Sequence, residues 1–175
     1  VFLRRLSAPS GMKRKDRMAK LGSLREVYRI GAGPSSSHTI GPLRAARLFR
    51  ARTPEGRRYR VTLYGSLSAT GRAHMTDRAV AQGVAPAECE VVWSEEALPQ
   101  HPNGMRFEVV EGGAVAPWVV FSVGGGALAD SGGPVGAGPE AGYPARNIGE
   151  ALEWCHSTRK HFWSLAAESE GEVFV

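Results

Sequence analysis

The sequence predicts an α+β domain in which a single sheet carries its helices on one face. Most of its strand-like segments alternate apolar and polar residues with a period of two, which is typical of strands with one buried face. Segments with helical spacing precede, separate and follow these strands. Because such strands bury only one face, the helices are expected to pack together on that face. No internal repeat is evident, so the 175 residues are expected to form one ordinary domain with a short appendage.

Two helices are predicted before the first strand. Ser23 to Ile30 begins with Ser23-Leu24-Arg25-Glu26, which has the form of a capping box. Thr39 to Arg52 follows with an apolar stripe at helical spacing. Pro42 is compatible with this helix because it falls in the first turn, where no amide hydrogen is needed. The stripe consists of Ile40, Leu43, Ala46 and Phe49.

Three strands and one intervening helix account for the middle of the chain. Tyr59 to Tyr64 and Met105 to Glu111 alternate and are predicted to be strands. Trp118 to Val123 is almost wholly apolar, which favours a central strand. Thr76 to Val84 has helical spacing and is predicted to be a helix between the first two strands.

The last third of the chain is predicted to be a linker followed by one helix. Ala127 to Tyr143 is rich in Gly, Ala and Pro, which is typical of a linker or long loop. Asn147 to Glu168 is amphipathic and is expected to dock on something outside this chain. The predicted organisation is therefore a disordered basic leader, a main domain, a linker and a helical end, over residues 1–22, 23–130, 131–146 and 147–175.

The formal net charge of +5 is concentrated at the start of the chain. Residues 1–20 hold seven basic residues and one acidic residue, so the remainder is close to neutral. A basic tail can bind nucleic acid or a membrane surface, but the body shows no alternation of aromatic and basic residues, and we expect neither partner. The two cysteines have no metal-ligand spacing, and neither a secretory signal nor a membrane span is indicated. We therefore expect a cytoplasmic protein.

Gly33 to Thr39 reads Gly-Pro-Ser-Ser-Ser-His-Thr and stands directly before a predicted helix. The free amides and the dipole of a helix start attract a carboxylate or a phosphate, and hydroxyls add donors. Ser and Thr are also ordinary helix caps, but one would suffice. Three serines followed by His38 favour an anion site. It is not a Walker loop, since no Gly-Lys-Ser/Thr follows.

Two further clusters place a histidine at the end of a predicted element. Thr70 to Asp77 contains His74 just before a helix that Thr76 can cap, and a neutral imidazole there is available as a base. The alternative is a solvent-facing loop histidine. His101-Pro102-Asn103-Gly104-Met105 precedes a strand, and taken alone it favours a plain turn, since Asn-Gly is a common turn pair. Together the three clusters predict one converging polar site.

These motifs closely resemble the N-terminal part of the iron–sulfur-dependent bacterial L-serine dehydratases. The resemblance spans roughly residues 23–168 and rests on four segments: GAGPSSSHTIGPLRAA within Leu24 to Ala46, LYGSLSATGRAHMTD at Leu63 to Asp77, HPNGM at His101 to Met105, and FSVGGG at Phe121 to Gly126. It implies a β domain similar to the allosteric substrate-binding domain of some phosphoglycerate dehydrogenases. Two departures stand out: a shorter stretch between Val84 and His101, and Met75 where a small or polar residue is expected.

The resemblance also implies an activity, a cofactor and partners. L-serine would be converted to pyruvate and ammonia, as in serine catabolism and gluconeogenesis, within an oligomer. A helical α domain, absent from this sequence, would hold a [4Fe–4S] cluster as Lewis acid. In this chain the resemblance implies no metal ligands, His74 and His38 as catalytic residues, and a set of substrate-binding residues: Ser35, Ser36, Ser37, Thr39, Thr76, His101 and Asn103. The alternative is a stand-alone regulatory module that binds serine or a small anion.

Overall fold

A computed structural model of the chain describes residues 23, 24, 31, 33–136 and 142–171. These residues fall into two compact units, which are described separately. The first holds the described residues up to 136, and the second holds 142–171. The leader that was predicted to be disordered and nearly all of the helix predicted over 23–30 lie outside the described residues, and the domain boundaries stay predictions.

The first unit is built on one six-stranded mixed sheet. Its strand order is β2-β1-β3-β4-β5-β6. Only β1 and β2 pair in parallel, and every other neighbouring pair is antiparallel. The strands are β1 Arg58–Leu63, β2 Glu88–Trp93, β3 Gly104–Glu111, β4 Trp118–Gly124, β5 Ala127–Asp130 and β6 Gly133–Val135.

Helices cover one face of this sheet, which confirms the predicted α+β class. A π-helical turn, Ser36–Ile40, runs directly into α1, Gly41–Arg52. The parallel crossover from β1 to β2 contains α2, Gly65–Thr70, and α3, Thr76–Val84. All three α-helices contribute to the core on that face. Its fully buried side chains include Phe49, Tyr59, Val61, Leu63, Leu67, Val80, Met105 and Phe107.

Two parts of the sheet differ from the sequence prediction. Glu88–Trp93 forms an edge strand that was not predicted, although Cys89, Val91 and Trp93 do alternate towards the core. The segment expected to be a linker from Ala127 instead begins with β5 and β6. These two strands were not recognised because they are short, consist mostly of small residues and bury little more than Leu128. Arg44 fastens this hairpin by donating to the carbonyl oxygens of Gly126 and Gly136 at 2.7 and 2.9 Å.

The second unit contains two helices where one was predicted. α4, Ile148–Thr158, and α5, Phe162–Glu170, are separated at Arg159, whose backbone is left-handed with φ 55°. Such a residue ends a helix because it turns the chain out of the helical path. The Asn147 side chain caps α4 by accepting from the Glu150 amide at 3.0 Å. No helix in the described part of the chain is long and apolar enough to cross a bilayer.

Candidate functional site

The serine-rich turn is held by the backbone carbonyl of Ser35. This oxygen accepts from the Thr39 amide at 2.9 Å and from the Thr39 hydroxyl at 2.6 Å. Gly33 lies at φ 124°, and a Cβ there would overlap the Thr39 side chain. Glycine is therefore required at this position both for its backbone angle and for the close approach. The result is a tight turn, closed on the Ser35 carbonyl, that contains the three successive serines and His38.

The turn is seated on the sheet through Gly41 and Ser122. Gly41 is the first residue of α1, and a Cβ on it would overlap the Ser122 hydroxyl on β4. Ser122 is fully buried, and its hydroxyl has no hydrogen-bond partner in the part of the chain that the structure describes. The close approach of helix start to strand therefore depends on the absence of a side chain at Gly41.

His38 lies at the centre of the site and is only 8% exposed. Its Nδ1 faces the hydroxyls of Ser37 at 3.0 Å and of Ser35 at 3.3 Å. Its Nε2 faces the Thr70 hydroxyl at 3.0 Å, together with the hydroxyl and carbonyl oxygens of Ser66 at 3.3 and 3.4 Å. One imidazole thus joins the serine-rich turn to α2.

Ser66 and Thr70 are site residues that the sequence analysis missed. They lie four residues apart on α2, so their side chains share one face of the helix. The Thr70 hydroxyl donates to the Ser66 carbonyl at 3.0 Å. The sequence does contain a signal for them, because both are hydroxyl residues at helical spacing just before His74.

His74 lies beside His38, so two of the three predicted clusters come together. Their ring centroids are 4.7 Å apart and the rings are tilted by 36°. His74 is partly exposed, and its Nδ1 lies 2.9 Å from the Thr70 carbonyl oxygen. The next residue, Met75, is left-handed with φ 58°, which turns the chain from this loop into α3. Glycine or asparagine adopts this conformation more readily than methionine.

The environment of His38 keeps its ring neutral near pH 7. Burial lowers the pKa of His38 most, and the nearby charge of His74 lowers it further, whereas the hydrogen bond to the Ser66 carbonyl opposes this shift. Desolvation disfavours the charged form of an imidazole. The neutral ring of His38 can therefore accept hydrogen bonds from the serine hydroxyls, which a charged ring could not do.

Thr39 and Thr76 support the site from inside the protein. Both are buried, at 3% and 0% exposure. The Thr76 hydroxyl donates to the His38 carbonyl at 2.7 Å, just as the Thr39 hydroxyl donates to Ser35. Their hydroxyl hydrogens are therefore used within the protein. Ser36, in contrast, is exposed at the start of the turn.

The loop carrying His101 and Asn103 adjoins this site but does not hydrogen-bond to either histidine within the described residues. The Asn103 amide donates to Nδ1 of His101 at 3.0 Å, and its side chain donates to the Ser122 carbonyl at 3.2 Å. Pro102 lies between them, and its carbonyl accepts from the Ser66 amide at 2.8 Å. His101 also lines a groove of about 640 Å³ on the open face of the sheet. The loop is therefore connected to His38 through Ser66.

The residues present do not fit an iron–sulfur cluster. Such a cluster takes four thiolates as a rule, and the sequence holds two cysteines, Cys89 and Cys155. They belong to different units, and burial raises the pKa of the Cys89 thiol to about 11. No group of three or more His, Cys, Asp or Glu side chains in the described part of the chain is arranged to hold a metal ion.

Comparison with known proteins identifies relatives of the region that carries the site. Residues 23–93 match the family described as serine dehydratase beta chain. L-serine dehydratase 1 of Escherichia coli K12 is 29% identical over 85% of this chain and 43% of its own length, and L-serine dehydratase of Streptomyces coelicolor is 32% identical over the same shares. L-serine dehydratase of Haemophilus influenzae is 42% identical over 36% of this chain and 15% of its own length. The chain spans less than half the length of these relatives. Residues 23–93 therefore belong to the serine dehydratase β-chain family, as the serine-rich turn and the His74 loop predicted.

Proposed function

We propose that this chain forms the β region of an L-serine ammonia-lyase, which converts L-serine to pyruvate and ammonia. The observation that carries the proposal is the pair of facing imidazoles, His38 and His74, bordered by the hydroxyls of Ser35 and Ser37 at a helix start. The relatives are named L-serine dehydratases, which supports L-serine as the substrate. The enzyme would act in the cytoplasm, in serine catabolism and gluconeogenesis, as an oligomer that includes an α region.

The serine-rich turn would bind the carboxylate of L-serine. Ser36 is exposed, and Ser35 and Ser37 are partly exposed. Amides at the start of a helix carry partial positive charge and attract an anion. Hydrogen bonds to a charged group contribute about 1.5–3 kcal/mol each, so two or three donors here suffice to orient a small substrate. Thr39 and Thr76 would act by holding the turn in place.

His74 would exchange the proton at Cα, with His38 beside it. Removal of that proton and departure of the Cβ hydroxyl as water leave an enamine, which hydrolyses to pyruvate and ammonia. The described residues supply bases and hydroxyls for the first of these events. Assistance to the leaving hydroxyl, together with the iron–sulfur cluster, would come from the α region.

The loop of His101 and Asn103 would close the pocket or bind an effector. The Pro102 carbonyl accepts from the Ser66 amide, and Ser66 in turn contacts His38. This connection supports such a role, because movement of the loop would shift Ser66 relative to His38.

A second candidate function is a regulatory module that binds serine or a small anion without catalysis. The serine-rich turn favours it, since hydroxyls and amides at a helix start can bind a carboxylate or a phosphate without a catalytic partner. Thermal stabilisation of the isolated chain by L-serine, but not by D-serine or acetate, would demonstrate a built binding site in either case.

An activity assay separates the two candidates. The chain is purified anaerobically with a candidate α region, and pyruvate is measured with L-serine as substrate. Turnover that is lost in His74→Ala but kept in His156→Ala, a histidine on α4, supports the lyase. Stabilisation by L-serine with no pyruvate from any such assembly supports the binding module.

A further inference from the structure

We propose that Thr70 is a positioning residue that determines which nitrogen of each histidine carries the proton. Its hydroxyl oxygen would accept a hydrogen bond from Nε2 of His38, and its carbonyl oxygen would accept one from Nδ1 of His74. The proposal rests on the proposed function for its catalytic meaning. The hydrogen-bond arrangement itself can be tested independently of any activity.

The tautomer of His74 follows from its contact with the Thr70 carbonyl. A carbonyl oxygen only accepts, so Nδ1, at 2.9 Å, must carry the hydrogen. In a neutral ring Nε2 then holds the lone pair. No residue in the described ranges donates to or accepts from that Nε2, and the ring is partly exposed. His74 thus presents its basic nitrogen outward.

The tautomer of His38 follows from the direction of the Thr70 hydroxyl. That hydroxyl has one hydrogen, which it donates to the Ser66 carbonyl at 3.0 Å. Its oxygen lone pairs are left to face Nε2 of His38 at 3.0 Å, and the Ser66 carbonyl, 3.4 Å from the same nitrogen, can only accept. Nε2 therefore acts as the donor, and the Thr70 oxygen is its nearer acceptor. Nδ1 is then the acceptor for the hydroxyls of Ser37 and Ser35 at 3.0 and 3.3 Å.

Two different roles result from these two tautomers. The basic nitrogen of His38 points at the protein's own serines within a buried site. The basic nitrogen of His74 faces away from every described partner. His74 is therefore the residue that exchanges a proton with a ligand, and His38 orients the serine hydroxyls. Thr70, the last residue of α2, contacts both rings and holds this division in place.

Nuclear magnetic resonance of the whole 175-residue chain tests the arrangement. Long-range ¹H–¹⁵N spectra at pH 7.5 report which nitrogen of each histidine is protonated. The wild type is expected to show Nε2–H on His38 and Nδ1–H on His74. Thr70→Val removes the hydroxyl but keeps the carbonyl. The Nε2–H signal of His38 should then broaden by exchange with water, while His74 stays unchanged.

Two variants complete the experiment. Thr70→Ser keeps the hydroxyl and should restore the His38 signal. Thr62→Val on β1 makes the same side-chain change in a residue that contacts neither histidine, and it should leave both rings as in the wild type. In an assembled lyase, Thr70→Val should lower kcat by about tenfold with little change in KM, and Thr70→Ser should recover most of it.

Several results would overturn the proposal. Protonation of Nδ1 on His38 or of Nε2 on His74 in the wild type would do so, as would a His38 signal in Thr70→Val that matches Thr62→Val. An assembly with no lyase activity, combined with the expected tautomers, would count against the proposed function and leave the role of Thr70 supported.

Discussion

The imidazole of His38 lies 4.7 Å from that of His74, yet the first ring is almost fully buried and the second is partly exposed. Two positive charges at this distance repel each other, so the pair disfavours double protonation. Burial adds to this effect at His38, and the charge of His74 is one cause of the lowered pKa of His38. A pair that avoids carrying two positive charges is suited to exchanging a proton with a ligand through its exposed member.

Replacing the two histidines should separate stability from activity. His38→Ala removes a buried ring that four side-chain hydroxyls face, and we expect it to lower the free energy of unfolding by about 1–3 kcal/mol. His74→Ala removes a partly exposed ring and should cost about 0.5 kcal/mol or less, but it should lower kcat of an assembled lyase by at least roughly hundredfold. Urea denaturation and the pyruvate assay measure the two effects.

His156→Ala serves as the control for this pair, because that residue lies on α4 in the other unit. It should change neither quantity. Equal stability losses in His38→Ala and His74→Ala would contradict the assignment of His38 as the buried centre of the site.

Stability should fall as the pH drops just below the ordinary pKa of histidine. The pKa of His38 is lowered, mainly by burial, from its ordinary value of 6.5. Between 6.5 and the lower folded value, the unfolded chain binds a proton at this residue and the folded chain does not. The free energy of unfolding therefore decreases with falling pH through this window, and the decrease from His38 ends once the folded form is also protonated.

A titration of the histidine ring signals, together with denaturation between pH 7.5 and 5, checks this expectation. The midpoint of His38 should lie below 6.5, and the pH dependence of stability in this window should be smaller in His38→Ala. A midpoint at or above 6.5 would show that the serine and threonine hydroxyls stabilise the charged ring more than burial destabilises it.

The parts of the fold that could be predicted from the sequence are those with strong local patterns. α3 was predicted with its observed bounds, because its apolar spacing lies within nine residues. The expected cap by Thr76 was wrong: Met75 occupies the cap position without a side-chain cap bond, and the Thr76 hydroxyl donates to the His38 carbonyl instead. β5 and β6 could not be recognised, since strands of small residues are stabilised by pairing with neighbours and not by their own side chains. The break at Arg159 was missed because neither glycine nor proline marks it.

The site shows the same division between local and long-range information. The serine-rich turn and His74 were recognisable, because each combines unusual residue types with a helix start. The partnership of Thr70 with His38 spans 32 residues and arises only when α2 packs beside the turn. Likewise, the contact between Gly41 and Ser122 joins a helix to a strand that are far apart in sequence. Such contacts depend on tertiary packing, which a single sequence does not display.

Met75 is expected to be a point of backbone strain that substitution can relieve. Its φ of 58° costs a residue with a side chain about 1 kcal/mol, and asparagine tolerates this conformation better. Met75→Asn should therefore raise the free energy of unfolding by about 0.5–1 kcal/mol, whereas Met75→Val should lower it, because a β-branched side chain is disfavoured there. The side chain is 40% exposed, so little buried apolar contact is lost. Chemical denaturation measures both changes, and a Met75→Asn protein no more stable than Met75→Val would refute the strain.

Gly41→Ala should disrupt the packing of the serine-rich turn and the start of α1 against Ser122 on β4. The new Cβ would overlap the Ser122 hydroxyl and crowd its Cβ, and overpacking of this kind costs about 1–3 kcal/mol. Ser122→Gly removes both atoms, so the double variant should recover part of the loss. Ser122→Ala alone should be close to neutral in stability, since the hydroxyl has no partner within the described residues.

Gly142→Ala provides the matched control for this set, because a Cβ at that position meets no atom within 4 Å. Thermal and urea unfolding of the five proteins, wild type included, compare stability, and the His38 ring signals report whether the turn has moved. The expected pattern is a shifted His38 signal in Gly41→Ala and an unchanged one in Gly142→Ala. If Gly41→Ala were as stable as Gly142→Ala and left His38 unchanged, the turn would not depend on this contact, and another feature would have to hold the serines beside the two histidines.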